Sequence, residues 1–155
     1  MKKAVLVSGA LAICFMLGIT TGVFGGVEPT PWKLHWTPIG QDLRLFQQEI
    51  DPSRGRLAEA KPGADLTKLG LLKSHENMMS LLQSLRTKVR GLEGVKGQAK
   101  GVLDICNKMK PKLDSLELFL KNFKAAIKQG DKPTAQGLLN EMGETVKGLQ
   151  ALIAK

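Results

Sequence analysis

Residues 71–92 read LLKSHENMMSLLQSLRTKVRGL. Leu71, His75, Met78, Leu82, Leu85, Val89 and Leu92 are separated by alternating steps of four and three. That spacing stacks them on one stripe of an α-helix, the seam of a packed bundle, with only His75 polar. Asp65 stands just upstream as a helix cap.

Downstream, Gly91, Gly94, Gly97 and Gly101 crowd together, and the seam slips. Leu92 to Val95 is a step of three where four is due, so a turn is expected near residues 91–97. A second seam then runs through Val95, Ala99, Val102, Cys106, Met109, Leu113, Leu116, Leu120, Phe123 and Ile127. Pro111 interrupts it chemically but leaves its register unchanged. The reading is one long kinked helix rather than two joined by a loop. Gly130 ends it, Asp131 caps the next, and Pro133 suits a first turn. Ala135, Leu138, Leu139, Met142, Val146, Leu149 and Ile153 form the last seam. The expectation is an all-α fold in which residues 65–155 form three long antiparallel helices, 66–90, 96–129 and 132–154.

Upstream, Leu43, Phe46 and Ile50 predict a short amphipathic helix over 39–50, ended by Pro52, which could supply a fourth member of the bundle. Residues 53–64 read as a linker, part of a Pro- and Trp-containing segment, 28–64. Pro29, Pro31 and Pro38 argue against regular helix over 28–38.

Before that, residues Ala4 to Val27 carry no charge across 24 positions and follow Met1-Lys2-Lys3. An export signal has an apolar stretch of about 7–15 residues and a spanning helix about 20, so the length favours a retained membrane helix over a cleaved one. Ala10, Cys14, Gly18, Gly22 and Gly26 recur every four residues and would form a small-residue face for packing against another helix. Lys2 and Lys3 keep the N-terminus cytoplasmic and place the bundle outside, in the periplasm or an equivalent space. Trp32 and Trp36 are then interfacial anchors at the headgroup level; with a cleaved segment they would pack on the domain or a partner.

The 155-residue chain has 23 Lys and Arg against 14 Asp and Glu, a formal charge of +9. Most of the excess lies in residues 65–155. Arg86, Lys88, Arg90, Lys96 and Lys100 gather around the first turn of the bundle, a solvated face or a surface for anionic lipid or an acidic partner. Scarce aromatics and export argue against nucleic acid. The chain contains no Gly-rich phosphate loop, no H-E-x-x-H, no C-x-x-C and no C-x-x-C-H. No carboxylate pair or nucleophile–base pair emerges, so neither catalysis nor a small-molecule substrate is expected.

Glu76-Asn77-Met78, followed by leucines at bundle spacing, is similar to the first-helix segment around the methionine haem ligand of the cytochrome b562 family of periplasmic bundles. Lys128-Gln129-Gly130-Asp131-Lys132 with Ala135-Gln136 is similar to the turn opening that family's last helix. The resemblance covers much of residues 68–155 and implies an exported bundle. It would make Met78 the sulfur ligand of haem b, but it places Gln150 where the family has its histidine ligand. The span between the two patches is also shorter than the family's intervening helices.

A second pairing comes from the helices themselves. If the first and third long helices run parallel, His75 and Met142 lie at similar depth, and His/Met is an axial combination for cytochrome iron. Seam methionines are ordinarily apolar filler, so no cofactor or metal is expected. The preferred reading is a non-enzymatic, membrane-anchored accessory or scaffolding subunit of a membrane complex. The alternatives are a small b-type haem or metal carrier and a cleaved, secreted adaptor.

Overall fold

The computed structural model describes the backbone of residues 32–154 and side chains from Trp36 onward. Every regular element among them is helical. Four α-helices, α1 (Trp32–Glu59), α2 (Leu71–Glu93), α3 (Lys100–Gln129) and α4 (Lys132–Ile153), are joined in order, with a 3₁₀ turn at Leu66–Leu69 before α2. α1 packs on α2 and α4, and α3 packs on α2 and α4. Neighbours run antiparallel, so the chain goes up, down, up and down, with α2 diagonal to α4.

The core follows the heptads. Leu71, Met78, Leu82, Leu85 and Val89 of α2 are buried, as are Val102, Cys106, Met109, Leu113, Leu116, Leu120, Phe123 and Ile127 of α3. Ala135, Leu139, Met142, Val146 and Leu149 complete it from α4. Each fully buried Leu or Phe contributes about 1.5–3 kcal/mol relative to exposure. α3 runs unbroken through Pro111, as its register requires.

The first helix corrects the sequence reading. A short helix over 39–50 followed by a linker is in fact one 28-residue helix with Pro38 and Pro52 inside it. Trp36, Ile39, Leu43, Phe46, Ile50, Ser53, Leu57 and Ala60 are all buried, again in steps of three and four. Pro38, Pro52 and Pro111 all face solvent. A helical proline releases the carbonyl four residues before it. For Pro52 and Pro111 those carbonyls belong to Gln48 and Asn107, both exposed, so water can satisfy them. Three antiparallel helices therefore become four.

The turns hold smaller corrections. α3 begins at Lys100, so Val95 and Ala99 belong to the turn and are exposed rather than in the seam. Asp65 caps the 3₁₀ turn, accepting from Thr67 N at 3.0 Å, and not α2 itself. The α3–α4 turn matches expectation. Gly130 adopts φ 70°, the left-handed conformation that glycine takes without a Cβ penalty, and Asp131 N donates to Ala126 O at 2.9 Å. Asp131 then caps α4 through Thr134 N at 3.1 Å. The Thr134 hydroxyl, and then this backbone hydrogen bond, hold the Asp131 carboxyl below the usual carboxylate range.

No helix among the described residues is long and apolar enough to cross a membrane. The uncharged run Ala4–Val27 and its stripe of Ala10, Cys14, Gly18, Gly22 and Gly26 lie outside them.

Candidate functional site

Up-down-up-down connectivity gathers four features at one pole of the bundle. The start of α1 at Trp32, the end of α2 at Glu93, the start of α3 at Lys100 and the end of α4 at Ile153 all lie there. This is the pole at which the chain arrives from its uncharged N-terminal run. The opposite pole carries the α1–α2 and α3–α4 connections.

The five basic residues near the α2–α3 turn divide into two groups. Arg86 is committed to α3, with Nη2 2.6 Å from Asp114 Oδ1 and Nη1 2.8 Å from Glu117 Oε2. Glu117 is held below the usual carboxylate range first by its hydrogen bond from Lys121 and then by Arg86. Lys88 is committed to α1, 2.6 Å from Asp42. Arg90, Lys96 and Lys100 are exposed and have no carboxylate within ion-pair distance among the described residues. Glu93, in the last turn of α2, is taken by Lys110 at 2.6 Å. Between Arg90 and Lys100, Val95 stands half exposed at the tip.

Local sequence explains why this tip stays positive. Residues 86–112 hold eight Lys and Arg against two Asp and Glu. The N-cap of α3 is Ala99, with no side-chain cap and no acid in the first turn. The positive end of the helix dipole therefore adds to the lysines instead of being neutralised. At the far pole Asp65 and Asp131 supply caps.

At the same pole but on the opposite side of the bundle, between α1 and α4, lies a cleft of about 530 Å³ lined by Trp36, Gly40, Arg44, Gln150 and Ile153 among others. Trp36 is 3% exposed and belongs to the core, so it does not sit as a headgroup anchor. Its indole nitrogen has no hydrogen-bond partner among the described residues. The Trp32 side chain lies outside them. The sequence signal for Trp36 was its step of three to Ile39, the first step of the α1 seam.

Hydrogen bonds through α1 set the relative depths of the two haem pairings: Asn77 meets Glu49 and Ser84 meets Asp42, while Arg54 meets the Leu139 carbonyl. This register puts His75 and Met142 at about the same depth, and Gln150 about 8 Å beyond Met78 along the bundle. Met78 and Met142 are both fully buried in the packed core, as apolar filler is.

His75 is 6% exposed, and its Nδ1 has no hydrogen-bond partner among the described residues. Burial, and next the Lys124 charge, push its pKa below the ordinary 6.5; Glu76 and a hydrogen bond to the Leu120 carbonyl oppose them. Cys106 is buried as a free thiol, and burial pushes its pKa up. Among the described residues, no cluster of three or more His, Cys, Asp or Glu is placed to hold a metal ion.

No family model, curated protein or solved structure matches the chain.

Proposed function

We propose that this protein is a membrane-anchored helical bundle that stands outside the cytoplasmic membrane as an accessory or scaffolding subunit of a membrane complex. One observation carries the reading. The uncharged run Ala4–Val27 leads into the start of α1 through only Glu28, Pro29, Thr30 and Pro31. α1 begins at the same pole as the basic α2–α3 tip and the end of α4. Two lysines before the run orient the bundle outward. The interior is filled by Leu, Ile, Phe, Val and Met at heptad spacing, which favours a rigid spacer over a cofactor carrier. Partner subunits would be met within the bilayer by the stripe of Ala10, Cys14, Gly18, Gly22 and Gly26.

The test is fractionation of cells producing the untagged chain, followed by a high-salt wash and chemical cross-linking of the membranes. The expected result is a salt-resistant membrane fraction with cross-links to other membrane subunits, weakened by Gly18→Leu with Gly22→Leu. Recovery of the bundle in the soluble extracytoplasmic fraction would overturn the reading in favour of a secreted adaptor.

A further inference from the structure

We infer that the α2–α3 tip, residues Arg90, Val95, Lys96 and Lys100, docks onto the anionic headgroup layer of the membrane that holds the N-terminal run. The inference rests on the anchored reading and adds an orientation and a lipid chemistry to it. Five peptide steps separate Val27 from Trp32, and covalent geometry limits their reach to roughly 18 Å. A run held in the bilayer therefore keeps the start of α1 close to the headgroups. The bundle cannot lift this pole away, and the tip shares it.

The tip is also built for that surface. Its three cations are exposed and unpaired among the described residues, whereas Arg86, Lys88 and Lys110 nearby are committed to carboxylates. A surface of anionic lipid attracts such unpaired cations and is indifferent to paired ones. Val95 projects between them, half exposed. A single β-branched apolar side chain flanked by lysines suits a shallow headgroup contact, where the apolar group enters the boundary and the ammonium groups stay at phosphate level. An acidic protein partner would use the same charges but would gain nothing from the tether.

The test uses the full chain reconstituted into vesicles of phosphatidylcholine alone, or of phosphatidylcholine with about one third phosphatidylglycerol. A Cys14→Ser, Val95→Cys chain carries a fluorophore at position 95. Cys106 is fully buried, so it stays unlabelled under native conditions. A second chain carries the dye at Lys61→Cys, in the α1–α2 connection at the far pole. Quenching by a headgroup-labelled lipid reports proximity.

The expected result is several-fold stronger quenching at position 95 in anionic than in neutral vesicles, lost in Arg90→Glu/Lys96→Glu/Lys100→Glu, with position 61 unquenched in both. A chain that pellets with the vesicles but shows no quenching at position 95 overturns the docking while leaving the anchor standing. So does quenching that ignores both lipid charge and charge reversal. A chain that stays in the supernatant overturns the anchored reading and the docking with it. Circular dichroism of each variant confirms that the bundle is intact.

Discussion

Lys88 Nζ lies 2.6 Å from Asp42 Oδ2, and the same oxygen accepts a 2.7 Å hydrogen bond from Ser84 Oγ. The lysine also donates to the Pro38 carbonyl at 3.2 Å. This cluster clamps α2 to the first turns of α1, near the pole that faces the N-terminal run. Its partners are unequally solvated. The Asp42 side chain is 10% exposed, while that of Lys88 is 34% exposed.

That inequality makes the two deletions asymmetric. Lys88→Ala leaves a nearly buried carboxylate with only a serine hydroxyl, and should cost about 2–4 kcal/mol. Asp42→Ala leaves an ammonium group that can turn to water, and should cost about 1–2 kcal/mol. Asp42→Leu should recover most of the loss by packing. Urea titration of the three variants checks the order. Equal costs would mean that Asp42 is hydrated in solution.

The His75 environment gives the fold a pH dependence. In the folded chain the imidazole is pushed below its ordinary 6.5 by burial and by Lys124. The unfolded chain therefore binds the extra proton first as pH falls, so stability is full above about 6.5 and declines below it. His75→Leu should flatten this decline between pH 7 and pH 5 while changing stability little at neutral pH. Denaturant midpoints across that range measure the slope. A wild-type midpoint that rises on acidification through this window would contradict the burial of the ring.

α1 should behave as core and not as an appendage. Phe46 is fully buried and Leu45, its neighbour, is 48% exposed. Phe46→Ala should cost about 3–5 kcal/mol, while Leu45→Ala should stay near zero. Pro52 faces solvent inside the same helix, so Pro52→Ala should stabilise by roughly 1–3 kcal/mol through the restored Gln48 hydrogen bond. Thermal melts are sufficient for all three. A destabilising Pro52→Ala would show that the ring fixes a bend the packing needs.

α1 also marks where the sequence was readable and where it was not. The heptad spacing crosses Pro111 legibly because every neighbouring seam residue is apolar. The same spacing continues past Pro52, but the next seam position is Ser53. A serine in a stripe of leucines reads as an exit from the core. In the fold its hydroxyl donates to the Glu49 carbonyl at 2.7 Å, a partner one helical turn back that no residue pattern advertises. Leu57 then continues the seam. The Asp131 cap and the Gly130 turn were legible because each rests on local chemistry. The five-residue grouping of basic side chains was legible as charge, but not its division into paired and unpaired members. That division depends on Asp42, Asp114 and Glu117, which approach from other helices.

As an anchored bundle, the protein keeps residues 1–27 attached, and they hold its basic pole at the membrane. Intact-mass measurement of the protein extracted from native membranes addresses this directly. The expected result is the full chain, near 16.8 kDa. A mature N-terminus between Gly22 and Val27 would contradict it and leave the bundle free of its anchor.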